Sequence, residues 1–263
     1  MSVGVAIVTL NEEEMLPGCL DSVSWASERC VVDSGSEDHT VAKAQQAGAR
    51  VLQRAWDGYA SQKNYAMEQI EADWVLILDA DERVSQSLGR EIRDLTTRWK
   101  EGDPQGYMIP FRQHVLGRIV RHGGWGGDYF IFRLFRKGWT RYQDQSVHER
   151  LEVPGPVGRL QGAIDHYPYR SISQMIQKQY RYALLEAKQL FERGHRPVAR
   201  RDYVLRPLRY WIDRYLRLGG FLDGTPGLIL ATMHAFCRLI VMIELNQLQA
   251  GDPSTPRSQD CTL

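Results

Sequence analysis

The run Trp74-Val75-Leu76-Ile77-Leu78-Asp79-Ala80-Asp81-Glu82 constrains the chain more than any other stretch. Five apolar residues, aromatic and β-branched among them, lead straight into an acidic cluster, the pattern of a buried strand ending at a polar rim. A strand of a parallel sheet is covered on both faces and is therefore continuously hydrophobic, and ligands of such sheets bind beyond the carboxyl ends of the strands. One small residue separates Asp79 from Asp81, so both carboxylates can point to the same side. Two carboxylates held close repel unless a cation lies between them, and hard oxygen ligands suit Mg²⁺ or Mn²⁺ shared with a diphosphate. The alternative is that Asp81 or Glu82 caps a helix beginning near Val84.

The preceding segments alternate in period. Val3 to Leu10 is a β-rich run, and Asn11-Glu12-Glu13-Glu14 opens a helix continued by Leu16, Leu20, Val23 and Trp25. Arg29 to Asp33 is a second strand, Asp33-Ser34-Gly35-Ser36-Glu37-Asp38 a small acidic loop, Thr40 to Ala47 a helix, and Arg50-Val51-Leu52 a third strand. Strands alternating with helices across short connections predict a parallel, doubly wound sheet, which sets Thr9, Asp33 and Asp79 at neighbouring strand ends. No Gly-x-Gly-x-x-Gly or Walker sequence follows the first strand, which disfavours dinucleotide redox enzymes and P-loop enzymes. Lys63, near the start of the helix that returns to the Asp79 strand, is placed either as a cation over an anionic ligand or as a solvated surface lysine.

A net charge of +1 over 263 residues, with 43% hydrophobic and 25% charged residues, is ordinary for a soluble globular chain and argues against a bulk polyanion partner, so nucleic acid is not expected. Cys19, Cys30, Cys237 and Cys261 have neither paired spacing nor histidine partners at metal-ligand distance, as expected of thiols in a reducing compartment. Val3 to Leu10 is too short for a signal peptide and lacks a basic flank, so a cytoplasmic location is expected.

Four motifs in order, Val8-Thr9-Leu10-Asn11-Glu12-Glu13, then Val31-Val32-Asp33-Ser34-Gly35-Ser36 with Asp38 and Thr40, then Gln62-Lys63-Asn64-Tyr65-Ala66, then Asp73-Trp74 to Asp81-Glu82, resemble the inverting glycosyltransferases of family 2. Within that family the resemblance is to the lipopolysaccharide core β-glucosyltransferase branch, and it covers residues 3 to 170. It implies an α/β GT-A fold, a Rossmann-like, mostly parallel sheet with a metal held at the Asp-x-Asp. It further implies that Thr9, Asn11 and Glu12 line the nucleotide pocket, Asp33 receives base or ribose, Lys63 faces the nucleotide, Asp79 contacts ribose or sugar, and Asp81 is the direct ligand of Mn²⁺ or Mg²⁺, with Asp79 beside it. The expected donor is a UDP-sugar and the expected acceptor the lipopolysaccharide core or another glycan.

Beyond the helix of Ser85 to Trp99, strands at Gly106 to Arg112 and Tyr129 to Lys137 flank a glycine-, aromatic- and arginine-rich loop. There Trp125 and Tyr129 could stack on sugar rings, and Arg118 and Arg121 could meet an acceptor phosphate or carboxylate. Their alternative role is aromatic core edge with solvated arginines. An inverting transfer needs a carboxylate to take the acceptor proton, and the candidates are Glu149 and Asp128. Related enzymes place that base after a Leu-Phe-Arg strand, which favours Glu149, and His148 would orient it or meet the diphosphate.

From Ser171 to Arg193 the periodicity is helical. The following segment sets Arg196, Arg200, Arg201, Arg206, Arg209, Arg214 and Arg217 against Asp202 and Asp213, interleaved with aromatic and aliphatic residues. That suits an anionic membrane surface or lipid acceptor, and equally a solvated face packed on the catalytic domain. Gly227 to Leu245 is apolar but interrupted, and reads as a packed or interfacial helix barely long enough to span a bilayer. The expected organisation is a catalytic domain over 1–170, divided into a nucleotide-sugar half (1–100) and an acceptor half (101–170), then a helical extension over 171–250 and a disordered tail over 251–263. The function expected is hexosyl transfer by a cytoplasmic enzyme peripheral to the inner membrane. The rivals are a family 2 transferase of other specificity and a non-catalytic nucleotide-sugar-binding, membrane-associated protein.

Overall fold

The computed structural model describes residues 1–126, 129–143, 150–195 and 199–251, which divide into two compact units. The first comprises Met1–Arg112 with Asp128–Tyr167, the second Gln113–Gly127 with Pro168–Leu263.

In the first unit the chain runs β1 (Val3–Thr9), α1 (Leu16–Ser22), β2 (Glu28–Asp33), α2 (Thr40–Gln46), β3 (Arg50–Gln53), α3 (Tyr59–Glu68), β4 (Trp74–Asp79), β5 (Glu82–Val84) and α4 (Gln86–Arg98). β6 (Gly106–Val115) carries the chain into the second unit, where β7 (Arg118–Val120) turns back on its end. The first unit resumes with β8 (Phe130–Arg136), β9 (Tyr142–Gln143), β10 (Arg150–Leu151), β11 (Val157–Arg159) and β12 (Ile164–His166). The main sheet has the order β3-β2-β1-β4-β8-β6-β12-β5, with β11 also on β6, and is parallel from β3 to β4. This is the expected α/β architecture, continued by antiparallel strands where β8 joins β4.

Alternate residues of β4 explain its unbroken hydrophobicity. Trp74, Leu76 and Leu78 enter one core with Leu16 and Leu20 of α1 and Leu88 and Ile92 of α4. Val75 and Ile77 enter a second core on the opposite face with Ala60, Ala66 and Met67 of α3. Both faces are covered by helices, so no position of the strand before Asp79 can be polar. The helix after the acidic run is capped by Ser85, whose hydroxyl accepts the Leu88 N–H. Asp81 and Glu82 are therefore not its caps: Glu82 opens β5, which pairs antiparallel with β12.

The second unit contains α5 (Ile172–Glu192), α6 (Asp202–Ile212) continued by a π-helical turn (Asp213–Arg217), a 3₁₀ turn (Gly220–Asp223) and α7 (Thr225–Ala250). Ala183 and Ala187 of α5 pack on Cys237, Val241, Met242 and Leu245 of α7. At 26 residues α7 is about 39 Å long, enough by length and composition alone to cross a bilayer core of about 30 Å, and it is packed on α5, as the sequence reading of a packed helix expected. Residues 113–127, expected in the acceptor half, belong here because Val115 and Val120 form a core with Met175 and Leu230. Asp223 also accepts the backbone N–H of Arg121 and of His122, and its carboxylate contacts His122 Nδ1 at 2.9 Å. The tail beyond Gly251 lies outside the described residues.

His234 of α7 stacks on Trp125, with ring centroids 5.2 Å apart. Burial, followed by Arg214 and Arg238, pushes the His234 pKa down to about 4. The unfolded imidazole takes up its proton near pH 6.5, the folded one only near 4, so the stability this neutral ring contributes is present above pH 6.5 and is lost as pH falls toward 4. Urea unfolding followed from pH 7 to pH 4 should show a loss on the order of 2 kcal/mol from this residue, and His234→Phe, which keeps the stack, should flatten that part of the curve.

Candidate functional site

The register of β2, β1 and β4 builds one rim. Thr9 lies opposite Asp33, and Val8 opposite Asp79, so the last residues of three parallel strands stand side by side. The two loops leaving β1 and β2 are tied to each other. Asn11 N–H donates to Ser36 Oγ at 2.8 Å and Asn11 Oδ1 accepts from Glu37 N–H at 2.9 Å. Glu12 N–H donates to Thr40 Oγ1 at 2.8 Å, and Glu13 N–H to Asp38 Oδ2 at 3.2 Å. Asn11 itself is left-handed (φ 53°), a conformation asparagine tolerates better than most residues.

Asp33 is fully buried, and its Oδ2 accepts the N–H groups of Gly35 and Ser36 at 3.0 and 2.9 Å, while Oδ1 accepts the Ser36 hydroxyl. Gly35 (φ 99°) supplies the left-handed residue this turn requires. The carboxylate expected to meet base or ribose thus also holds its own loop closed. Two buried polar atoms here lack a hydrogen-bond partner: Thr9 Oγ1, and Oε1 of Gln62, whose amide donates to Ser34 Oγ and to the carbonyls of Arg54 and Ala55.

Asp79 is held by two cations. Lys63 Nζ lies 3.1 Å from its Oδ1 and Arg133 NH2 3.0 Å from its Oδ2. Burial opposes the Asp79 charge, but Lys63 and Arg133 more than reverse this and keep the carboxyl well below the ordinary range. Lys63 is buried and is not a solvated surface lysine. Arg133 also donates to Glu82 Oε1 at 2.7 Å, and Glu82 Oε2 accepts the Asp79 N–H at 3.0 Å. The result is a closed ring in which Glu82 grips the Asp79 backbone and, through Arg133, its side chain. Burial pushes the Glu82 carboxyl up to about 7 even with Arg133 opposing, and Asp79 and Asp81 add to the rise.

Asp81 has a different neighbour: its Oδ2 lies 3.2 Å from His166 Nε2, and both side chains are 19% exposed. Antiparallel pairing sets His166 opposite Glu82, and its ring packs on Phe111. A carboxylate oxygen and an imidazole nitrogen at that separation match adjacent corners of an octahedral ion, which stand about 3 Å apart for bonds of about 2.1 Å. Asp81 and His166 therefore fit a divalent ion, whereas Asp79 is already neutralised. Among the described residues no group of three or more potential ligands converges.

Arg133 and His166 were missed in the sequence. Arg133 lies within an alternating strand pattern that marks no partner for it, and His166 has no local signature. Of the acceptor candidates, Trp125 gives one face to His234 with Arg214 near its ring, and Arg121 is exposed with its backbone fixed by Asp223. Tyr129 lies edge-on to Phe111 and is 57% exposed. Glu149, Asp128 and His148 lie outside the described residues.

Removing one partner of a buried ion pair costs about 3–5 kcal/mol. Glu82→Ala should lower the urea midpoint by the equivalent of about 3 kcal/mol, and Glu82→Gln, which retains an acceptor for the Asp79 N–H, by less than half as much.

The sequence profile of Glycosyl transferase family 2 matches residues 4–146. Over 258 residues, covering 93% of this chain and 92% of the relative, the protein is 32% identical to the lipopolysaccharide core biosynthesis glycosyltransferase LpsC of Rhizobium meliloti (strain 1021). Among solved structures it is similar to S. aureus TarS 1-349, with 15% identity, a TM-score of 0.47 and coverage of 96% of this chain and 92% of that one. It is also similar to glucosyl-3-phosphoglycerate synthase of Mycobacterium tuberculosis, in complex with Mn²⁺, UDP and glucosyl-3-phosphoglycerate, with 24% identity, a TM-score of 0.36 and coverage of 42% and 44%. The chain, with its acidic strand end on a mostly parallel sheet, belongs to glycosyltransferase family 2.

Proposed function

We propose that this protein is a metal-assisted, inverting hexosyltransferase of lipopolysaccharide core assembly, moving glucose from UDP-glucose to an inner-core sugar such as a heptose at the cytoplasmic face of the inner membrane. The observation that carries the reading is the unequal pair at the end of β4. Asp79 is compensated by Lys63 and Arg133, while the Asp81 carboxylate meets the His166 imidazole at 3.2 Å. The full-length similarity to LpsC supports the class of acceptor.

The acceptor hydroxyl oxygen attacks the anomeric carbon from the side opposite the diphosphate. As the new C–O bond forms, the bond to the diphosphate oxygen breaks and its electron pair leaves with UDP. Glu149, with Asp128 as the alternative, takes the hydroxyl proton, and His148 orients that base or meets the diphosphate. Asp81 and His166 would hold a divalent ion, which when bound would supply positive charge against the leaving diphosphate. Lys63 and Arg133 keep the surroundings of Asp79 cationic without mobile counter-ions, so Asp79 is fixed for a contact with ribose or sugar. Thr9, Asn11, Glu12 and Asp33 form the nucleotide end. There a bound group that donates hydrogen bonds would satisfy the orphaned Thr9 and Gln62 oxygens. Imidazole ligation leans toward Mn²⁺ over the harder Mg²⁺. Arg121 and the free edge of Trp125 are assigned to the acceptor.

Calorimetric titration of UDP with and without Mn²⁺ tests the donor site. Binding should strengthen with Mn²⁺ in the parent protein, and that gain should vanish in Asp81→Ala and fall about 10-fold or more in His166→Ala. Metal-indifferent binding would make the Asp-x-Asp a structural turn, and absence of UDP binding would remove the donor assignment. Glu149→Gln should lower kcat about 10²–10⁴-fold with UDP affinity unchanged. If Asp128→Asn does so instead, the base is Asp128, and if neither does, the carboxylate-base mechanism fails.

A further inference from the structure

Exposed apolar surface is unevenly distributed in this molecule. Of the 23 large hydrophobic side chains that are exposed among the described residues, 18 belong to the second unit. A scattered background of such residues is normal, but contiguous patches mark interaction sites. The densest series lies on α6 and the turns after it. Val204, Leu205, Leu208, Ile212 and Leu216 are between 42% and 67% exposed, and α6 has no buried residue at all.

The helical period explains the arrangement. Positions 204, 208 and 212, with 205 and 216 beside them, fall within about a third of the helix circumference. The flank of the stripe is used for packing: Tyr203 joins the core formed by α5 and α7 and contacts Asn246, Tyr210 packs under Arg214 and Arg238, and Trp211, at the edge of the stripe, donates Nε1–H to Thr232 Oγ1 at 3.1 Å. The aromatic residues of this segment are thus half-buried along its packed flank, and the aliphatic ones are exposed. Tyr215 meets Phe221 edge-on at 6.4 Å, which continues the surface onto the 3₁₀ turn, where Phe221 is 49% and Leu222 62% exposed.

Charge decides what covers this face. Residues 199–218 hold six arginines and two aspartates. Arg206 and Arg217, 61% and 82% exposed, pair with Asp202 and Asp213 one turn away, and Arg209 is exposed beside the aliphatic stripe, so the segment keeps a surplus of four positive charges. A second copy docked on the same face would set this excess positive charge against itself. An anionic lipid surface supplies the opposite charge together with an apolar phase for the aliphatic side chains, with the arginine heads remaining at headgroup level.

We propose that α6 and the turn through Leu222 form a membrane-docking surface. The aliphatic stripe enters the headgroup and acyl boundary of an anionic bilayer, and Arg206, Arg209 and Arg217 bind its phosphates. This assignment is independent of which sugar is transferred, since it uses no residue of the strand-end site.

Vesicle co-sedimentation of the full chain tests it, with phosphatidylcholine vesicles containing or lacking phosphatidylglycerol. The parent protein should sediment with the anionic vesicles, at least 10-fold more tightly than with the neutral ones, and less tightly as salt rises. Leu208→Glu/Ile212→Glu should lose at least 10-fold in partition, and Arg206→Glu/Arg209→Glu should lose the preference for anionic lipid, while UDP titration of both variants matches the parent. Failure to bind anionic vesicles, or unchanged partition of both variants, overturns the assignment. So does sedimentation velocity showing a dimer that Leu208→Glu/Ile212→Glu separates, because the face is then occupied by a second copy.

Discussion

Everything at the rim depends on making a fully apolar strand end in carboxylates without losing the core beneath them. An isolated buried carboxylate costs several kcal/mol or more, and in practice it finds a partner or becomes neutral. Both outcomes occur within four residues here. Asp79 stays ionised because Lys63 reaches it from α3 and Arg133 from β8. Glu82, deeper and 1% exposed, is pushed toward neutrality and is retained because its two oxygens are both engaged. The antiparallel entry of β8 beside β4 is therefore more than a change of sheet direction: it delivers the guanidinium that lets the strand end as it does.

The same economy governs the first two loops. Polar loops at a strand-end rim that are fixed in advance spare any ligand the cost of ordering them on binding. Ser36, Asp38 and Thr40 of the second loop accept the backbone N–H groups of Asn11, Glu13 and Glu12 in the first. Two motifs separated in sequence thus form one structural unit, which gives a physical reason for the residue types in Asp-Ser-Gly-Ser-x-Asp-x-Thr.

Much of this was legible in the sequence, and the boundary of what was not is instructive. The alternation of periods located β1, β2, β3 and β4 within a residue or two and put Thr9, Asp33 and Asp79 on one rim, because a parallel sheet leaves its strands few other options. Arg133 and His166 were not legible as partners of Asp79 and Asp81. They lie 54 and 85 residues away, and only the antiparallel registers of β8 and β12 bring them in. The helix of Ser85 to Trp99 was legible, and of the two readings of the acidic run the capping alternative falls away because three residues of strand and Ser85 intervene. On α6 the period was legible, but the inner face was not. Tyr203, Tyr210 and Trp211 have more surface to bury than Leu or Val, and polar atoms that find partners inside, so they took the packed side.

The two aspartates of one motif end with different chemistry because of what stands beside them. Pairs of titratable groups whose surroundings diverge are a recurrent sign of divided labour. Asp79 has its charge satisfied by two cations that cannot diffuse away, so it gains little from a metal and is suited to accept hydrogen bonds from a ligand. Asp81 faces an imidazole whose nitrogen can share an ion with it, and no lysine or arginine pairs with it among the described residues. A cation entering this rim therefore meets one carboxylate that is already neutralised and one that is not. The difference between the two carboxylates of the motif follows from Lys63 and Arg133, which reach only Asp79.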